Sequence, residues 1–154
     1  MGYQLLALPN ESATEALGAT VARACIQAMT LYLQGELGAG KTTFCRGFLT
    51  ALGHQGSVKS PTYTLVESYS LPPWQIYHFD LYRIVEPAEL ELIGIRDYQQ
   101  DNAILLIEWP QQGGELIPEA DITLQFRTHS TGRQVRLQAH SPQGKQQLQR
   151  LTDE

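Results

Sequence analysis

Gly35-Glu36-Leu37-Gly38-Ala39-Gly40-Lys41-Thr42 is the stretch that decides how this chain folds. It fits G-x-x-x-x-G-K-[ST] at every fixed position, and Thr43 follows. The flanks are what that motif requires, a strand before it and a helix after it. Thr30 to Gln34 (TLYLQ) reads as the strand. From Lys41 to Leu52 the apolar spacing is helical, with Phe44, Phe48, Leu49 and Leu52 on one side and Gly53 as the stop. In such a loop the glycines let backbone N–H groups turn inward around a β-phosphate, and the helix N-terminus adds its dipole. Lys41 places a point charge on the β- and γ-phosphates, Thr42 offers a hydroxyl to Mg²⁺, and Thr43 offers one to the α-phosphate.

A phosphate loop of this kind also needs an acid at the end of a strand. Glu108 closes Ile104-Leu-Leu-Ile107, the setting of a buried strand delivering a carboxylate. Asp80 lies in Tyr77-His-Phe-Asp80-Leu-Tyr-Arg83, on an alternating strand. One of the two could hold the metal while the other orients the attacking water; the plainer alternative for each is a surface carboxylate past a strand end. Lys41, Asp80 and Glu108 are thus the catalytic candidates. ATP is favoured over GTP because neither N-K-x-D nor an Asp followed by Gly three positions on occurs.

Ser60-Pro-Thr-Tyr-Thr64 follows a polar loop. Thr62 and Thr64 are candidates to sense a γ-phosphate, as switch loops do, with a strand-entry turn as the alternative. Arg46 and Arg83 read as surface-paired, with an arginine-finger role as the other option. His78, between Tyr77 and Phe79, reads as a satisfied core or site-edge histidine rather than a base. Trp109 is either core or part of the site wall.

Outward from these motifs, Tyr3 to Leu8 is a strand ending at Pro9. Ser12-Ala-Thr-Glu15 fits a capping box opening a helix in which Ala13, Leu17, Val21, Ala24 and Ala28 recur at helical spacing. Tyr63 to Leu71 and Gln75 to Tyr82 alternate, split by Pro72-Pro73, as an antiparallel pair. Pro87 opens a short helix in PAELELIG. Ala103 to Ile107 is a continuous apolar run, a strand covered on both faces. Ile122, Leu124 and Phe126 are answered by Val135, Leu137 and Ala139 across a hairpin turn at His129 to Gly132. Lys145 to Leu151 is a terminal helix.

The 154 residues suit one domain, and folding at that size buries roughly 70% of the unfolded surface. With 42% apolar and 18% charged residues the composition is that of a globular protein, not a disordered one. No apolar run approaches a membrane span, and the first residues lack a secretory pattern, so an intracellular, cytoplasmic location is expected. The net charge is −5 and the chain has three lysines, so a grip on RNA phosphates is disfavoured. Cys25 and Cys45 form no metal-ligand spacing and read as small buried hydrophobes.

Taken together, GELGAGKTTF, KSPTYTLVE, YHFDLYR, ELIGIRDY and LLIEWP, in this order and at these spacings, resemble the TsaE (YjeE) family, small bacterial P-loop ATPases of tRNA threonylcarbamoyladenosine synthesis. The resemblance runs from about Glu11 to Gly132. It implies an α/β fold: one P-loop NTPase domain over residues 1–154, whose mixed sheet has a parallel core and an antiparallel part and is flanked by helices. It implies weak ATP hydrolysis alone and action with TsaD and TsaB, with tRNA met only through that complex. Carried over by motif, Thr42 and Glu108 match the magnesium positions, and Leu37, Gly38, Ala39, Gly40, Lys41, Thr42 and Thr43 the phosphate loop. Asp80 matches the important acid of the HxDxYR stretch, and Thr62 belongs to the switch-like segment. Glu11 and Gly132 match the walls of the adenine site. Two rival readings remain: a P-loop small-molecule kinase, which would need an Arg-rich lid that this sequence lacks, and a nucleotide-gated module that binds without hydrolysing.

Overall fold

The computed structural model describes residues 3–36, 38–129 and 132–152. Strand β1 (Tyr3–Leu8) leads to helix α1 (Glu11–Ala24), then β2 (Met29–Gln34) and α2 (Lys41–Ala51). β3 (Val66–Leu71) and β4 (Trp74–Asp80) follow, then the single turn α3 (Glu89–Leu92) and β5 (Ala103–Glu108). β6 (Ile122–His129), β7 (Gly132–Ala139) and α4 (Pro142–Thr152) complete the chain. The strands form one sheet in the order β1-β7-β6-β2-β5-β4-β3. β2 runs parallel to β5 and β6, and β4 parallel to β5. The β3–β4, β6–β7 and β1–β7 pairs are antiparallel. The expected mixed sheet with a parallel core and flanking helices is what the chain adopts.

Alternation along the strands divides the core in two. Leu31, Leu33, Ile76, Ile104 and Leu106 face α1 and α2 and pack with Val21, Phe44 and Phe48. Tyr77, Phe79, Leu105 and Ile107 point the other way, where Leu81, Ile84, Leu90, Ile95 and Ile117 cover them. β5 is therefore buried along its whole length, which is why it reads as an unbroken apolar run.

Helices α1 and α2 touch through glycine. A Cβ on Gly47 would stand 2.0 Å from the Glu15 carbonyl oxygen, and one on Gly18 2.2 Å from that of Phe44. No larger residue fits either position without parting the two helices.

Several boundaries differ from expectation. Asn10, not Ser12, caps α1: its backbone is extended and its side-chain oxygen accepts the Ala13 N–H at 2.9 Å. The capping-box residue Glu15 instead pairs with Arg46 of α2 at 3.2 Å. β3 starts at Val66 because 61–64 form a turn in which the Leu65 N–H bonds the Pro61 carbonyl, with Leu65 at φ 72. β4 stops at Asp80, whose carboxylate takes the Tyr82 N–H at 3.0 Å. α4 starts at Pro142, with the Ser141 hydroxyl accepting the Gly144 N–H at 3.0 Å. The hairpin turn falls between β6 and β7 as expected, but residues 130 and 131 lie outside the described ones. Among the described residues no helix is long and apolar enough to cross a membrane.

Candidate nucleotide-binding site

The parallel strands bring the acids together. Leu33 at the end of β2 and Asp80 at the end of β4 are both register partners of Glu108, the last residue of β5. Two carboxylates from adjacent strands thus stand side by side at the carboxyl edge of the sheet, where α/β folds build their sites. The loop from β2 passes over this edge into α2. Its last residue, Gly40, is the N-cap of α2 at φ 112, and no side chain caps the helix there. The first-turn N–H groups of α2 are left for an anion.

A cavity of about 500 Å³ opens over this edge. Glu11, Gly38, Gly40, Lys41, Thr42, Thr43, Thr62, Asp80, Glu108 and Gly132 all line it. Ala39 does not; it is buried and borders the adjoining hollow beside Gly35 and Phe126. Leu37 lies outside the described residues. Thr64 is away from the cavity and bonds Glu67 at 3.2 Å. Arg46 pairs with Glu15, and Arg83 lies 4.5 Å over the exposed Tyr63 ring. Neither arginine lines the cavity.

Lys41 is almost fully buried. Its ammonium donates to the Gly35 carbonyl at 2.6 Å, stands 3.9 Å from Glu108 Oε1, and lies 4.0 Å over the Trp109 ring. Trp109 does not line the cavity; it backs Lys41 and packs against the core on the other face of the sheet. Burial lowers the Lys41 pKa, opposed by Glu108 and Asp80. Asp80 accepts from the Thr62 hydroxyl at 3.3 Å, and Thr62 is 2.7 Å from the Ser60 hydroxyl. The switch-like segment thus reaches the acid assigned to water.

Some site residues have no signature in the linear sequence. Arg133 also lines the cavity, and its guanidinium donates to the Gly38 carbonyl at 2.9 Å, tying the phosphate loop to β7. Below the cavity His78 is fully buried, with Nε2 2.6 Å from Glu108 Oε2 and 3.5 Å from Cys45 Sγ. Burial alone would lower the His78 pKa, but the surrounding Cys45 and Glu108 reverse this and raise it to about 10. Burial pushes the Cys45 thiol above its ordinary value, although His78 draws it down. Cys45, His78 and Glu108 lie within 4.8 Å of one another, a donor set that zinc accepts. Two ligands of a tetrahedral zinc stand about 3.3 Å apart, though. The 2.6 Å between imidazole and carboxylate is a hydrogen bond's separation. Period-two alternation along β4 puts Ile76, His78 and Asp80 on one face. Both cysteines are buried; Cys25 is pushed up to about 11 by burial, opposed by Gln147 and Arg150.

The donors that converge on the cavity itself are oxygens: the Thr42 and Thr62 hydroxyls and the two carboxylates. They suit a hard divalent cation such as Mg²⁺, and a buried ammonium beside them suits polyphosphate.

Comparison with known proteins agrees with this geometry. Residues 8–135 match the family model of the threonylcarbamoyl adenosine biosynthesis protein TsaE. The chain is 52% identical over 119 residues to the tRNA threonylcarbamoyladenosine biosynthesis protein TsaE of Haemophilus influenzae, covering 77% of this chain and 75% of that protein. It is 36% identical over 110 residues to the protein of the same name from Bacillus subtilis, covering 71% and 68%. The crystal structure of Bacillus subtilis YdiB superimposes with a TM-score of 0.83 at 25% identity, over 98% of this chain and 95% of that one. With its phosphate loop, paired acids and sheet order in place, the chain belongs to the TsaE family of tRNA threonylcarbamoyladenosine biosynthesis.

Proposed function

We propose that this protein binds Mg-ATP in the cavity over α2, hydrolyses it slowly, and supports turnover of the TsaB–TsaD complex in tRNA threonylcarbamoyladenosine modification. One observation carries the reading: a buried lysine at the end of the phosphate loop faces two carboxylates that are register partners on adjacent parallel strands. Thr42 and Glu108 would hold the Mg²⁺, which when bound neutralises charge on the phosphates. Lys41 and the α2 N–H groups bind the phosphate chain. Glu11 and Gly132, which both line the cavity, would flank the base. Asp80, accepting from Thr62, orients the water.

Partner dependence follows from what the site lacks. Arg133 is the cavity's only lining arginine among the described residues, and its guanidinium is committed to the Gly38 and Gly132 carbonyls. A charge supplied in trans is worth ~10³–10⁵ in rate in P-loop enzymes. Tyr63, next to Thr62, is 84% exposed and available to a partner. The test is tRNA modification by the TsaB–TsaD pair with the donor synthase, with and without this protein and ATP. Sustained turnover only when both are present supports the proposal. ATP consumption driven instead by a small acceptor would replace it with a kinase, and full support from a hydrolysis-dead Asp80→Asn variant would replace it with a nucleotide-gated module.

A further inference from the structure

We propose that His78 is a positioning residue that fixes which oxygen of Glu108 meets the cation, an inference that rests on the Mg-ATP reading above. The argument starts from the strands. β4 and β5 are parallel and in register, so His78 comes beside Leu106 and Asp80 beside Glu108. The Glu108 side chain turns back along its own strand to reach the imidazole two pairs below. Nε2 donates to Oε2 at 2.6 Å, a short, charge-assisted bond in a site from which water is excluded.

The two oxygens of Glu108 therefore differ. Oε2 is occupied by His78, while Oε1 is 3.9 Å from the Lys41 ammonium, farther than a hydrogen-bonded ion pair at about 2.7–2.9 Å. A Glu108 without a partner at Oε2 would be free to rotate onto Lys41 and close both oxygens on the ammonium. His78 pulls against that collapse. It leaves Oε1 uncommitted at the cavity, where a cation held by Thr42 needs it. The histidine is well placed to hold still: it is fully buried between α2 and the sheet, with Cys45 Sγ 3.5 Å from the same nitrogen. Nδ1 has no partner among the described residues, so the contacts of Nε2 with Glu108 and Cys45 orient the ring. Outer partners of this kind change metal affinity or activity about 10–100-fold when removed.

The test uses the full chain and calorimetric titration of ADP, with and without MgCl₂. Three variants are compared: His78→Leu, His78→Gln and His78→Asn. Gln carries an amide N–H to where Nε2 stands; Asn, one carbon shorter, does not. Mg-free ADP binding should persist in every variant, weaker in His78→Leu and His78→Asn, where Glu108 closes on Lys41, than in His78→Gln. The Mg²⁺ concentration for half-maximal enhancement should rise about tenfold or more in His78→Leu and His78→Asn. His78→Gln should return it to within a few-fold of wild type. The Gln–Asn contrast keeps the test decisive if His78→Leu does not fold, because both amides burden the core alike. Equal shifts in Gln and Asn, or wild-type Mg²⁺ dependence in Asn, would overturn the positioning role while leaving the Mg-ATP reading in place. A wild-type protein whose ADP binding ignores Mg²⁺ would overturn both.

Discussion

The two faces of the sheet are built differently. On one side α1 and α2, regular helices of 14 and 11 residues, press together through Gly18 and Gly47 and bury Phe44, Phe48 and Leu49 against β2, β5 and β4. On the other, residues 81–102 and 109–117, either side of β5, contribute one helical turn and short 3₁₀ segments. They are anchored by a few inward side chains such as Leu81, Leu90 and Ile95, while Val85 and Leu92 are more than four-fifths exposed. The acids of the site divide along similar lines. Glu108 is held by His78 of β4 and Lys41 of α2, both on regular elements. Asp80 is held by Thr62 and the Tyr82 N–H, both in loops. The acid proposed for the cation is thus held by rigid parts, and the acid proposed for the water by loops that a partner or a γ-phosphate can move.

The largest expected effects test whether both faces are true core. Phe48→Ala should lower stability by about 3–5 kcal/mol and Leu90→Ala by about 2–5 kcal/mol, since both side chains are fully buried. Denaturant titration checks both. If Leu90→Ala costs little while Phe48→Ala costs the full amount, the irregular face is a loose cover, not a core.

Next in size is Lys41→Ala. One charge-assisted contact is worth roughly 1.5–3 kcal/mol, so nucleotide affinity should fall about 10–100-fold and hydrolysis should be lost. Calorimetry and phosphate release measure the two. Unchanged turnover in a folded variant would remove the ATPase reading.

A smaller effect separates the acids. Glu108→Gln keeps the shape but loses the charge that a hard cation needs, so the Mg²⁺ requirement should rise. Asp80→Asn should leave Mg-nucleotide binding nearly intact and slow hydrolysis. A Mg²⁺ shift for Asp80 and none for Glu108 would reverse the assignment, and with it the link between rigid support and cation binding.

The sequence was most informative where the physics is local. The phosphate loop is one contiguous turn, and the spacing of its glycines and Lys41 is itself the mechanism. Glu108 was legible because a strand buried on both faces leaves an apolar run with an acid at its end, and Asp80 because alternation places it on one face. The hairpin of β6 and β7 showed in matched apolar triplets. What escaped depends on residues far apart in the chain. Cys45 and His78 are 33 positions apart and meet only because α2 lies over β4. Arg133 reaches Gly38 across 95 positions, and a lone arginine after a turn has no pattern to betray it. Gly18 and Gly47 are weak helix positions in isolation, and the crossing of α1 and α2 gives both a reason. Asn10 and Ser12 each have a capping side chain, and only the backbone angles of the folded chain choose between them.

The smallest effect concerns Leu92, on the same short turn as Leu90. Leu90 is fully buried, whereas Leu92 is 87% exposed. Two positions apart on a helix are about 200° around the axis, so the two side chains point to opposite sides. Truncating an exposed leucine removes apolar surface that water already covers, so little transfer free energy is lost. Leu92→Ala should therefore change stability by no more than about 0.5 kcal/mol, as surface substitutions do. The comparison with Leu90→Ala is internal, since both changes remove the same atoms from the same turn. A loss above about 1.5 kcal/mol for Leu92→Ala would mean that the side chain packs against something in solution. Checking whether that loss grows with protein concentration then separates a contact within the chain from one between chains.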